Sequence, residues 1–201
     1  MSRMIHAISA LVFFAFTAPA MAATYMIDPA HSSVAFSIRH LLAKVNGGFN
    51  EFEGEFNFDA ARVEATTGKV IIKTGSIDTN NPKRDEHLRS PDFFDAAKNP
   101  EMSFVVKKVT ADKKDKKKFK IEGDFTMHGV THPESFAGEY MGTEKDPWGN
   151  VKAGFSAIGK VNRKNYGIVF NKTLDSGAVM LGDDVEVSLN FEAAEKVAEK
   201  K

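Results

Sequence analysis

Five histidines outside the N-terminal segment, His31, His40, His87, His128 and His132, are the side chains best suited to holding a metal, because the 201-residue chain has no cysteine and zinc then relies on histidine and carboxylate ligands. Their spacing does not gather them. His128 and His132 stand at a helical interval, but Gly129, Thr131 and Pro133 make that stretch a turn between strands, so no metal site is expected. A serine hydrolase is no better served: there is no Gly-x-Ser-x-Gly elbow, and Gly75-Ser76 falls in a strand-like run. Lack of cysteine also removes disulfides, a thiol nucleophile and a lipidated N-terminal cysteine. No catalytic residue is assigned, and the chain reads as a non-enzyme without a cofactor. Arg84, His87 and Leu88, at i, i+3 and i+4, remain as a polar cluster that one short helix could present on one face.

The elements that would position these residues are strands. Val34, Phe36 and Ile38 alternate on one face of 33–40, and Phe52, Phe56 and Phe58 alternate against Glu51, Glu53 and Glu55. The same period returns over 69–77, 102–106, 119–127, 135–140, 151–161 and 185–191, which makes eight or more half-buried strands. Turn residues separate them, at Asn46-Gly47-Gly48, His128-Gly129, Asp146-Pro147-Trp148-Gly149 and Leu181-Gly182-Asp183-Asp184. Glycines within strands, at 54, 123, 138, 154 and 159, suit the bends of a closing sheet. The expected fold is all-β, an antiparallel barrel of about eight strands. Between Asn80 and Pro100 the rhythm breaks. Asn81-Pro82 and Ser90-Pro91 each place an N-cap residue before proline, which predicts two short helices, 82–89 and 91–97, with an exposed Asp85–Arg89 pair on the first.

Residues 1–22 read as a secretory leader: Arg3, the apolar run 7–16 and the small-x-small site Ala20-Met21-Ala22. The run is too short to span a membrane, which takes about 20 residues. The expected division is a leader over 1–22, a barrel domain over 23–192 and a solvated tail over 193–201, with the mature protein in the periplasm. Lys plus Arg equals Asp plus Glu at 27 each, so nothing favours nucleic acid as a partner. No stable membrane insertion is expected, and the lysines at 113, 114, 116, 117 and 118 read as a solvated hairpin tip. Of the 17 phenylalanines, 14 lie beyond the leader. An eight-stranded barrel can either fill with such side chains or hold one small ligand, and the residues leave both open. Gly54, Gly123, Ala153 and Ala157 are positions where room could remain.

Asp78-Thr79-Asn80 followed by Arg84-Asp85-Glu86-His87-Leu88-Arg89-Ser90-Pro91-Asp92-Phe93-Phe94 resembles the signature of the YceI-like family of secreted lipid-binding proteins. The likeness continues in order through His31-Ser32 with Arg39-His40, Gly48-Phe49 with Gly54, Gly123 to Thr131, Asp146-Pro147-Trp148-Gly149 with Ala153-Gly154-Phe155, and Gly182-Asp183-Asp184-Val185. It departs at Tyr166, where phenylalanine is usual, and at His132, where lysine is commoner. The resemblance implies a lipocalin-like barrel with a short helical insert and an elongated apolar cavity. It also implies storage or transport of a polyisoprenoid chain, of the polyprenyl phosphate or isoprenoid quinone type. On that basis Phe36, Ile38, Phe52, Phe56, Phe104, Phe125 and Phe155 are expected along the chain of the ligand, with Leu88, Phe93 and Phe94 from the insert. Arg84, His87 and Arg89, beside Asp78 and Asn80, would meet a charged head group; equally, they could pin the insert to the barrel. Homodimerisation is compatible with the resemblance. The alternatives are a stress-related interaction protein with an incidental cavity and an enzyme acting on a bound isoprenoid.

Overall fold

The computed structural model describes residues 22–175, 177 and 179–196. The strands are β1 (Ala23–Ile27), β2 (Ser33–His40), β3 (Ala43–Phe49), β4 (Phe52–Phe58), β5 (Thr67–Lys73), β6 (Ile77–Asp78), β7 (Glu101–Ala111), β8 (Lys118–Met127), β9 (Val130–Lys145), β10 (Val151–Asn162) and β11 (Leu181–Glu195), with one α-helix, α1 (Pro82–Arg89), after β6. All pairings are antiparallel and run β1-β4-β5-β7-β8-β9-β10-β11, and β11 returns to β1, closing an eight-strand barrel. Three walls are interrupted strands. β11 pairs with β1 through Ala193–Glu195 and with β2 through 181–190, while β3 pairs with β2 and β6 with β3. Thus β1 and β2, β3 and β4, and β5 and β6 each continue one another across a short break.

The alternation seen in the sequence follows from this closure, because every second side chain points into a barrel that has no free face. Register shifts at Gly154/Phe155 and at Val106/Lys108 are bulges that bend β10 and β7 around the curve. Gly123 has a different task from the one expected. A Cβ there would lie 2.4 Å from the Val105 carbonyl oxygen and 2.6 Å from the Phe104 ring, so this glycine admits a neighbouring ring and opens no space. Ala153, 1% exposed, packs into the lower core and likewise adds no cavity.

Three other expectations are corrected. Only the first helix forms. Asn81 caps it, accepting from the Arg84 N–H at 3.2 Å with Pro82 at the first turn. Beyond Ser90 the chain wraps back instead of winding on: the amides of Phe94, Asp95 and Ala96 bond to Leu88, Ser90 and Arg89, and Asp95 adopts φ +44°. That wrap turns Phe93 onto Phe170 and Phe94 onto Phe49, contacts that outweigh local helix preference. Nor does Asp85 pair with Arg89; Asp85 is buried and accepts from the Thr79 N–H at 2.9 Å. The strand also runs past the expected start of a solvated tail. Ala193 is fully buried opposite Ile27, so residues 193–195 are part of the closure. The leader through residue 21 and residues 197–201 lie outside the described residues.

Candidate functional site

The barrel is stoppered by aromatic side chains at one end and roofed by chain segments at the other. At the end where β1 and β10 begin, Phe58 and Phe155 meet edge to face with ring centres 4.9 Å apart, Tyr140 lies 4.9 Å from Phe58, and Tyr25, Val63 and Ala193 pack around them. Above this plug lies a cavity of about 720 Å³, within the range of sites that enclose a small organic ligand. Strand after strand supplies its wall: Phe36 and Ile38 from β2, Phe49 from β3, Phe56 from β4, Phe104 from β7, Phe125 from β8, Phe155 and Ala157 from β10, and Val187, Leu189 and Phe191 from β11. The far end is roofed by the insert and by residues 163–175 and 179–181.

Among the expected binding residues, Phe36, Ile38, Phe56, Arg84, His87, Leu88, Phe93, Phe94, Phe104, Phe125 and Phe155 all line this cavity. Four do not. Phe52 is buried against Phe191, with ring centres 6.1 Å apart, below the cavity surface. Asp78 accepts from the Asn80 N–H at 2.8 Å, and Asn80 sits in a left-handed turn at φ +58°. Arg89 donates through Nε to the Gly75 carbonyl at 2.8 Å and through Nη2 to that of Ile77 at 3.1 Å, which ties the helix to the β5–β6 break. The geometry of these last three is that of a clamp on the insert.

Arg84 lines the cavity and also ties the insert down. Its Nε donates to Thr79 Oγ1 and its Nη2 to the Thr79 carbonyl, each at 2.7 Å, while Asp85 accepts from the same threonine. Thr79 is 3% exposed, so this knot satisfies buried groups that would otherwise be costly. Nη1 has no hydrogen-bond partner among the described residues. His87 is held by Asp92, with Nε2 2.9 Å from its carboxylate, and its ring meets Phe93 and Phe170 edge to face at 5.0 Å.

The roof contains residues that periodicity did not reveal. Arg163, 3% exposed, donates through Nε to Gly182 and through Nη1 to the carbonyls of Ile168 and Phe170 at 2.8–2.9 Å, which folds 163–170 across the barrel end. Burial pulls its guanidinium below the ordinary value, and Asp183 opposes that pull. Ile168, Phe170, Lys172, Met180 and Leu181 then line the cavity beside Arg163, His40 and Lys83. The clue in the sequence was the apolar pair Ile168 and Phe170 after Gly167, whose φ of +76° ends the preceding turn. Among the described lining residues the charged side chains toward the roof are basic, at Lys83, Arg84, Arg163 and Lys172, with no carboxylate in the lining, while Lys69 is paired opposite Glu55 on the outer face.

Histidines 128 and 132 do not converge on a metal. Nδ1 of His128 lies 3.0 Å from the Tyr166 carbonyl and Nε2 of His132 lies 3.0 Å from that of Asn165, so both fasten the 163–166 turn. Tyr166, wholly buried, donates to Glu134 at 2.8 Å; burial raises its hydroxyl pKa. One group with metal-ligand chemistry, Asp28, His31 and Glu192, gathers among the described residues. Lys152 occupies it, with Nζ 2.8 Å from Asp28 and 3.3 Å from Glu192. Hydrogen bonds from Lys152 and His31 lower the Asp28 carboxyl to about 2.

The YceI-like domain family matches residues 25–193. A UPF0312 protein of Azotobacter vinelandii is 43% identical over 74% of this chain and 78% of its own length; one of Photorhabdus laumondii is 40% identical over 85% and 86%. Among solved structures, the Campylobacter jejuni YCEI protein superposes with a TM-score of 0.68 at 34% identity, covering 80% of this chain and 91% of that one. A polyisoprenoid binding domain from Saccharophagus degradans superposes at 0.59 and 12% identity, over 87% and 99% of the two chains, a likeness of fold alone. With the match running from the first barrel strand to the last, this chain belongs to the YceI-like family.

Proposed function

We propose that this protein binds one isoprenoid lipid chain, of the polyprenyl phosphate or quinone type, in the barrel cavity and stores or carries it in the periplasm. The observation that carries this reading is a cavity of about 720 Å³ walled by phenylalanines and aliphatic side chains, with only basic groups among its charged lining. Moving each methylene from water into such a space gains about 0.8 kcal/mol, so about ten supply roughly 8 kcal/mol against association costs of at least about 4 kcal/mol. The name of the Saccharophagus neighbour, a polyisoprenoid binding domain, supports the same ligand class. Binding rather than catalysis is the proposed activity, with no cofactor. The leader expected over 1–22 supports export, and N-terminal sequencing of the cellular protein should find Ala23 first.

The test is a titration of delipidated protein with a fluorescent apolar probe. One probe per chain should bind and be displaced by long prenyl compounds. Val187→Trp, which projects a large ring from β11 into the cavity, should abolish uptake while the barrel stays folded. Failure of the wild-type protein to take up the probe would overturn the reading.

A further inference from the structure

The plug end of the cavity is closed by rings that meet on one side chain. Phe155, from β10, has its ring centre 5.0 Å from Phe56, 4.9 Å from Phe58, 5.5 Å from Tyr140 and 6.4 Å from Tyr25. Phe56, Phe58 and Phe155 line the cavity, whereas Tyr25 and Tyr140 do not, so the three phenylalanines form its floor and the tyrosines lie behind them. The layer behind is tight, with Tyr25, Val63, Ala153 and Ala193 all buried. It is also fastened. The Tyr140 hydroxyl is hydrogen-bonded to Thr143 on β9, which holds the polar end of the residue away from the cavity while its ring backs the floor. One layer nearer the roof on the same strand, Ala157 lines the cavity with only a methyl group, so free space begins directly over the Phe155 ring.

The two ends of the cavity differ in chemistry. Toward the roof the lining includes Lys83, Arg84, His87, Arg163 and Lys172, whereas the floor is phenylalanine. A molecule with one polar end and one hydrocarbon tail therefore lies with its tail toward Phe155, since a polar end buried against those rings would lose its water without gaining partners. A tail leaving through the wall is the competing arrangement. The β5–β7 ladder stops at Lys69 opposite Val105, and Thr66 and Gly68 line the cavity beyond that point. The 63–65 turn lies over this stretch of β7 with Val63 buried, so the wall is covered where its ladder ends. The floor, not the wall, is what the tail meets.

We propose that Phe155 is the length stop of the site: the end of the hydrocarbon chain butts against its ring, and the depth from the roof to that ring selects how many isoprene units the barrel accepts. This rests on the isoprenoid reading of the cavity and adds the residue that sets chain length. The test displaces the fluorescent probe from delipidated protein with all-trans prenols, and with straight-chain 1-alkanols, of increasing length. In the wild type, affinity should rise with length to a maximum and then fall. Phe155→Ala removes a phenyl ring, about the bulk of one isoprene unit, and a core that relaxes only partly keeps much of that space open. The preferred prenol should become about one unit longer, and that longer prenol should gain about tenfold relative to the one the wild type prefers. Phe155→Leu, which keeps the position filled and apolar, should move the maximum the same way by less, a shift that the alkanols resolve carbon by carbon. Ala157→Leu raises the floor and should move it to shorter chains. A maximum that none of these changes moves, or affinity that climbs with length without a maximum, as a tail leaving beside Thr66 would give, overturns the length stop while the binding reading stands. Failure of every prenol and alkanol to bind overturns both.

Discussion

Thr79 receives two hydrogen bonds from Arg84, and that decides what a change at this residue does. Arg84→Ala would leave a buried carbonyl and a buried hydroxyl unpaired, and should lower stability by about 1–3 kcal/mol, read in a urea melt. Binding of prenol and of prenyl diphosphate should fall together, because the insert loosens. Lys83 and Lys172 are different, being free of such ties. Changing both to glutamine should weaken prenyl diphosphate by about 1.5–3 kcal/mol, the scale of hydrogen bonds to charged groups, and leave prenol nearly unaffected. Equal losses for the two ligands in that double variant would remove the head-group role. At Gly123, alanine brings a Cβ against Val105 and the Phe104 ring, and should cost about 1–3 kcal/mol in stability through overpacking.

At the scale of elements, the closing seam is stitched by charge. Asp28 in the β1–β2 break, Lys152 on β10 and Glu192 on β11 join three strands. The Asp28 carboxyl is depressed to about 2, so its contribution is present above the carboxylate's ordinary range and is lost as pH falls through that range toward 2. Asp28→Asn should therefore destabilise the protein at neutral pH and flatten its acid unfolding, as measured by melts between pH 2 and 6. The strands themselves were legible in the sequence, since a side chain that alternates between water and a cavity, such as Phe36 or Phe104, leaves a period of two. The insert was half legible. Asn81-Pro82 specifies a helix start locally, whereas the wrap after Ser90 depends on where Phe49 and Phe170 stand, which local pattern does not encode. Residues 163–170 escaped notice for the same reason: Arg163 holds them by carbonyls, a type of bond open to any sequence.

For the molecule as a whole, the unresolved choice between a filled and a hollow barrel was one of volume, and volume is not written in composition. Fourteen phenylalanines could have packed solid. They do not, because part of the aromatic load forms the plug of Phe58, Phe155, Tyr140 and Tyr25, and most of the rest lines walls that the broken strands and the insert hold apart. The hollow interior, not any pair of reactive groups, is thus the feature from which function follows. Native mass spectrometry of the protein purified from its own cells tests this most directly. A single retained lipid per chain, with a mass that steps by isoprene units among species and is absent from the Val187→Trp variant, is the expected result. An empty barrel in the wild-type protein, or a bound molecule without an isoprenoid chain, would contradict the account.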